Sequence, residues 1–315
     1  MTKRVVVLMG GWSAEREVSL VSGAECAKAL RAAGYDVSEV DVTRDLAGLM
    51  AALSPPPDAV FNALHGRFGE DGRIQGVLDI LGIPYTHSGL LASALAMDKS
   101  MAKRLLAAVG IPFPEGKIVP KDAVLAGDVI PRPYVVKPNA EGSSVGVHIV
   151  HRGDNEPPFS SDSWPYGDDV LVEQYIAGRE LTVSVMGSSA EDAEALGVTE
   201  LRPNTGFYDY TAKYTDGETT HIVPAPVPDA VAAESQRLAT LAHVTLGCRG
   251  VSRADFRYDD ESARNGNDLS GLYMLEVNTQ PGMTPLSLVP EQASYQGVSF
   301  PDLVSRLVEA AQCDS

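Results

Sequence analysis

Apolar and polar residues alternate along the first third of the chain in blocks whose period changes. Val5–Met9 is an unbroken apolar run rich in β-branched residues, the pattern of a buried strand. The alanine-rich stretch from about Val18 to Ala33 reads as a helix stopped by Gly34. Tyr35–Val40 and Ala59–Leu64 read as further strands, and Ile74–Leu81 as a helix ended by Gly82. Alternating strands and helices imply a parallel sheet with helices on both faces. Ligands of such a sheet sit at the carboxyl ends of its strands.

The pattern changes beyond the loop at Ser88-Gly89. A helix is predicted over Ala92–Val109, closed by Gly110 and Ile111-Pro112. Short strands follow at Gly116–Val119, Tyr134–Lys137, Gly146–Val150 and Val170–Tyr175. His151–Asp169 is rich in Pro, Ser, Gly and Asp, which disfavours a long helix there. A last unit opens near Glu180 with a strand at Leu181–Met186. It continues with a helix at Ala230–Leu246 and a strand pair, Arg253–Tyr258 and Leu272–Val277. The polar insert Asp259–Gly271 reads as their hairpin loop, and Phe300–Ala311 as a closing helix.

Length and charge narrow the classes. A chain of 315 residues suits two or three domains that each bury a core. The expected division is 1–91, 92–179 and 180–315. A net charge of −17 disfavours nucleic acid, which needs a basic surface, but leaves room for a nucleotide held by local lysines. The apolar run after Arg4 is too short for a signal-peptide core, and no stretch approaches a membrane span. Cys26, Cys248 and Cys313 show no pairing or metal spacing. Free thiols in a reducing, cytoplasmic compartment are expected.

Four polar segments carry candidate chemistry. Gly10-Gly11-Trp12-Ser13-Ala14-Glu15 follows a strand and precedes a helix but lacks the third glycine of the dinucleotide fingerprint. It reads as a tight turn, with Glu15 either a helix-stabilising acid or an anchor for a substrate ammonium. His65-Gly66-Arg67-Phe68-Gly69-Glu70-Asp71-Gly72 follows another strand at the same sheet edge; its glycines allow close backbone approach to a ligand. His65 taken alone reads as a capped loop histidine. Lys137 ends a strand before Gly142-Ser143-Ser144, a loop whose amides can cradle a phosphate without a Walker pattern. Asp255 lies near Glu276 and Asn278 on a neighbouring strand, an all-oxygen set that Mg²⁺ favours. Arg253 is an alternative source of the positive charge these acids need.

Together these segments resemble D-alanine–D-alanine ligases of the ATP-grasp superfamily. The resemblance rests on Gly10–Ser19, His65–Gly72, Met97-Asp98-Lys99 and Glu141–Gly146. It continues through Phe207–Tyr214, Arg253-Ala254-Asp255 and Glu276–Thr284, in family order across nearly the whole chain. It implies an α/β protein: an N-terminal Rossmann-like parallel sheet followed by an ATP-grasp fold of two α+β units. It implies a ligase that phosphorylates one D-alanine with ATP and two Mg²⁺ (Mn²⁺ as a substitute). A second D-alanine then attacks the acylphosphate, for peptidoglycan precursor synthesis.

The family's site residues carry over by motif. Lys99, Lys137 and Lys213 would meet the phosphates, Glu173 the adenine amino group, Tyr175 and Ile176 the ring, and Glu180 the ribose. Asp255, Glu276 and Asn278 would hold the metal ions. Glu15 would anchor the first ammonium in a triad with Ser143 and Tyr214, with Val18 and His65 near that site. Arg253 and the Gly282 amide would face the developing oxyanion, and Ser287 and Leu288 the second carboxylate. Tyr208–Tyr214 would form a closing loop, and Tyr214, where ester-forming relatives carry Phe, favours the dipeptide. Gln174 departs from the lysine common there, and His151–Asp169 lacks the usual helix-forming composition. The family further implies a homodimer, with no nucleic-acid or membrane partner. An ATP-grasp ligase for other substrates need not keep Glu15, Ser143 and Tyr214 together. A regulatory protein that has lost catalysis would be expected to lack Arg253 or a metal ligand. An NAD-dependent oxidoreductase would carry the fingerprint missing here.

Overall fold

Side chains alternate across a strand, so Val5 and Val7 face one way and Val6 and Leu8 the other. All four are buried, which places β1 (Arg4–Gly10) at the centre of a sheet in the computed structural model of the chain. The structure describes residues 2–155, 157–204, 215, 217–263 and 268–314. β1 runs parallel to β2 (Asp36–Val42) on one side and to β3 (Ala59–Asn62) on the other. α1 (Arg16–Ala32) and the last helix (Phe300–Glu309) pack on the Val5 and Val7 face. α2 (Leu46–Ala52) and α3 (Arg73–Leu81) cover the opposite face.

The helix predicted over Ala92–Val109 is two helices, α4 (Leu90–Met97) and α5 (Lys99–Ala108). Asp98 breaks them at an extended ψ of 94°, because its carboxylate caps α5 by accepting from the amides of Ser100 and Met101. Asn139 donates to the same oxygen at 2.8 Å and so ties the break to the next unit. That unit comprises β4 (Gly116–Pro120), α6 (Lys121–Ala126), β5 (Tyr134–Pro138), β6 (His148–Val150) and β7 (Asp169–Gln174). Its strands form an antiparallel sheet in the order β4-β7-β5-β6. No long helix stands between β6 and β7 among the described residues. Instead Phe159 stacks on Trp164 at 4.4 Å, and both are buried against the sheet with Val124 of α6.

The third sheet is antiparallel in the order β10-β9-β8-β11-β12. It contains β8 (Arg179–Gly187), β9 (Glu194–Pro203), β10 (Thr219–Ile222), β11 (Gly250–Tyr258) and β12 (Leu272–Asn278). α7 (Asp229–Leu246) and residues of α4 and α5 bury one face of it. α8 (Leu288–Tyr295) contributes Val289 and Ala293 to the core shared with the first sheet. α9, the last helix, completes that core. A parallel sheet followed by two antiparallel α+β units is the fold class expected from the sequence.

Candidate active site

The site begins at the carboxyl ends of the parallel strands. Gly10 ends β1 and Gly11 follows it, with φ of 83° and 76°, a region that disfavours side chains. The turn delivers Glu15, buried, to the N-terminus of α1. Ser13 donates to the His65 carbonyl at 2.7 Å, which holds the loop after β3 against this turn. That loop brings Glu70 into the same cavity as Glu15. Burial, and next the Glu15 charge, push the Glu70 carboxyl well above the usual range. Gly142 closes over both acids: a Cβ there would lie 2.5 Å from Glu15 Oε1 and 3.2 Å from Glu70 Oε1. Ser143 and Ser144 follow in left-handed backbone, φ 49° and 58°, a conformation that costs energy away from glycine.

Facing these groups are the ends of β11 and β12. Asp255 lies opposite Glu276 and Arg253 opposite Asn278, so alternation sets all four on one face of the ladder. Arg253 grips both oxygens of Asp255, each at 2.8 Å, and Lys99 meets Glu276 at 3.1 Å. Thr182 donates to Asp255 at 2.7 Å. Two carboxylates and the Asn278 amide oxygen form an oxygen donor set that suits Mg²⁺, whose remaining positions go to phosphate and water. Among the described residues no three His, Cys, Asp or Glu side chains cluster for a metal.

Two cavities of about 810 and 920 Å³ meet here. The first is lined by Glu15, His65, Ser143, Arg253, Gly282, Ser287 and Leu288, among others. The second is lined by Lys137, Glu173, Tyr175, Ile176, Glu180 and Asp255. Lys99, Glu141 and Glu276 border both. The structure therefore gathers the expected alanine-side residues in one cavity and the expected nucleotide-side residues in its neighbour. Val18 is different: it is buried on α1 and lines neither cavity. Lys213 and Tyr214, and the closing loop they belong to, lie outside the described residues.

The nucleotide side is built from paired charges. Lys137 meets Glu173 at 2.6 Å, and Lys103 pairs with the other Glu173 oxygen. Burial pushes the Lys137 ammonium down to about 8, and burial and neighbouring lysines lower Lys103 as well. Arg257 donates to the Ile176 carbonyl at 3.1 Å and to Glu180 at 3.3 Å, orienting two groups of this cavity. Glu70 and Arg257 line these cavities and Lys103 meets Glu173 from outside them, and the sequence reading gives none of the three a role. Each carries a signal: Lys103 follows Lys99 by one helical turn, Arg257 follows Asp255 by two on a strand, and Glu70 sits inside a glycine-rich segment.

The geometry finds its counterpart in known proteins. Residues 47–88 match the model of the D-ala D-ala ligase N-terminus, and residues 105–309 that of the C-terminus. The D-alanine–D-alanine ligase of Rhodospirillum rubrum is 59% identical over 100% of both chains. The chain belongs to the D-alanine–D-alanine ligase family. It is accordingly an enzyme, a ligase. The Acidiphilium cryptum ligase of the same name is 57% identical over 99% of each chain. A Bacillus anthracis D-alanine–D-alanine ligase crystallised with ATP superposes with a TM-score of 0.79 at 31% identity, covering 98% of this chain and 97% of that one. The D-Ala:D-Ser ligase VanG from Enterococcus faecalis gives 0.76 at 26% identity, covering 98% and 99%. No helix among the described residues is long and apolar enough to cross a membrane.

Proposed function

We propose that this chain joins two D-alanines into D-alanyl-D-alanine, using ATP, for peptidoglycan precursors. The observation that carries this reading is the shared border of the two cavities at Lys99, Glu141 and Glu276. A carboxylate bound in one cavity meets the phosphate chain of a nucleotide bound in the other.

The first D-alanine binds with its ammonium at Glu15, held by the Ser143 and Tyr214 hydroxyls. Its carboxylate oxygen attacks the γ-phosphorus and ADP leaves, giving D-alanyl phosphate. Lys99, Lys137 and Lys213 hold the phosphates; Glu173, Tyr175, Ile176 and Glu180 hold the adenosine. Asp255, Glu276 and Asn278 hold the divalent ions, Mg²⁺ or Mn²⁺, which when bound neutralise phosphate charge. Arg253 and Lys99, which meet these acids in the structure, add positive charge beside the phosphates. The second alanine binds by its carboxylate at Ser287 and Leu288, where the N-terminus of α8 favours an anion. Its free amine attacks the acyl carbon, and the departing phosphate carries off the proton that the new amide nitrogen sheds. The tetrahedral oxyanion faces Arg253 and the Gly282 amide before phosphate departs; one such donor lowers the barrier by roughly 3–4 kcal/mol. A Cβ at Gly282 would stand 2.8 Å from Ser287 Oγ, so the oxyanion donor and the second carboxylate anchor adjoin. The loop 208–214 closes over the acylphosphate and keeps water out.

Three sheets in sequence support the division 1–91, 92–179 and 180–315. Free, buried Cys26 and Cys248 support a cytoplasmic setting. Exposed Ile80 and Leu91 on adjoining helices α3 and α4 support a homodimer.

The test is phosphate release with Mg²⁺, ATP and, in parallel, D-alanine, L-alanine, D-lactate or D-alanine with D-serine. D-Alanine alone should drive release and yield the dipeptide; no D-alanine-dependent release would remove the proposal. Glu276→Gln should abolish turnover while the circular dichroism and melting profile stay native. Near-normal turnover in that variant would sink the metal assignment.

A further inference from the structure

The segment that carries Gly282 is fastened at two points to one pair of side chains. His65 Nδ1 lies 3.1 Å from the Gln280 carbonyl, and His65 Nε2 lies 3.0 Å from Ser22 Oγ. Ser22 Oγ in turn accepts from the Met283 amide at 3.3 Å. Ser22 is fully buried on the inner face of α1, and His65 is buried in the loop after β3. The two anchors bracket Pro281 and Gly282. Proline has no N–H, so the Gly282 amide is the one backbone donor between them.

The direction of each hydrogen bond follows from chemistry. A carbonyl only accepts, so His65 Nδ1 carries the proton. Burial pushes the imidazole down to about 4, which keeps it neutral and leaves Nε2 as an acceptor. The Ser22 hydroxyl therefore donates to Nε2, and its lone pair is left for the Met283 N–H. Every polar atom of the pair is committed to one arrangement. Gln280 is held independently: its side chain donates to the Asn62 carbonyl, and Asn62 Nδ2 donates back at 3.2 Å.

We propose that Ser22 and His65 form a clamp that aims the Gly282 amide at the oxyanion. Ser22 is thus a positioning residue for the ligation step, and His65 acts on the catalytic segment through its ring nitrogens. The inference rests on the reading of Gly282 given above. Donors aimed at a transition state lose their effect when they move by about 1 Å, at a cost of roughly 10²-fold.

The experiment measures kcat, KM for ATP and the affinity of a phosphinate mimic of the tetrahedral intermediate, in the parent enzyme and in Ser22→Ala. The clamp predicts that kcat and mimic affinity fall together, by about 10- to 100-fold, while KM for ATP stays within twofold. A Ser22→Ala enzyme that keeps both within twofold overturns the clamp. Equal losses in kcat and ATP affinity with a lowered melting temperature also overturn it, because they mark a structural role alone. If the parent enzyme binds the mimic no better than D-alanine, the oxyanion reading of Gly282 falls, and the clamp's purpose with it. Nitrogen-15 spectra of the histidines in the unmodified enzyme give a check that survives a variant failing to fold. His65 should show Nδ1 protonated and Nε2 bare at pH 7; the opposite tautomer overturns the proposal.

Discussion

Lys103 reaches Glu173 from an outer groove, whereas Lys137 reaches it within the nucleotide-side cavity. A carboxylate buried against Lys137 and Lys103 keeps its direction, and removal of one partner leaves an imperfectly compensated buried ion. Lys103→Met should therefore lower the free energy of unfolding by about 3 kcal/mol in urea titrations and raise KM for ATP. Adding Glu173→Gln should recover part of the stability, since the two residues interact directly; strict additivity would show that the pair carries no coupling. Glu15, Ser143, Arg253 and the β11–β12 acids were legible in the sequence because each sits in a motif with its own spacing. Lys103 was not, because a lysine on a helix is ordinarily a solvated one. What covers it is Glu173 of β7 and the ring of Phe113, contacts that no local pattern announces. Val18, carried over from the family resemblance, is buried on α1 and does not line the cavity.

At the scale of elements, periodicity located nearly every long strand and helix, and missed where one helix becomes two. Leu90–Ala108 is apolar, alanine-rich and free of Gly or Pro, so its composition runs unbroken through Asp98. The break is a side-chain event, an N-cap inside a helical stretch, held by Asn139 from another unit. It also sets Lys99 at the first position of α5, where its ammonium donates to the Glu141 carbonyl at 2.6 Å. Asp98→Ala should cost about 1 kcal/mol, a fall in Tm of about 2 °C, together with a several-fold rise in KM for ATP. Asp98→Asn should keep most of both, because asparagine caps nearly as well. A lowered Tm with unchanged KM would separate the cap from the site. Other elements lacked a readable signal for physical reasons. α8 carries Pro290 in its first turn, where proline is tolerated although it reads as a breaker. β9 is a strand because β8 and β10 pair with it on both sides, which is tertiary information.

Across the whole molecule, the cores that join the sheets also bury ionisable groups, and this couples the fold to pH. Burial holds His65 at about 4, His87 at about 3 and His243 at about 4, each from an ordinary value of 6.5. Below pH 6.5 the unfolded chain takes up protons at these three positions that the native chain does not. Their contribution is thus fully present above pH 6.5 and is lost as pH falls through the window from 6.5 to about 4 for His65 and His243 and to about 3 for His87. Each contributes about 1.4 kcal/mol per pH unit inside that window. Glu70 runs the other way: its raised carboxyl costs stability above its ordinary 4.5, and that cost vanishes on acidification. With net stabilities of about 5–15 kcal/mol, the histidines are expected to dominate and to lower stability as pH falls. Urea midpoints measured from pH 7.5 to 4.5 should fall steeply below pH 6.5. His87 is the position to alter, because its φ of 70° is one that asparagine tolerates. His87→Asn should remove about one proton from the slope of stability against pH between 6.5 and 4; an unchanged slope would show that burial of this ring is not what ties stability to pH.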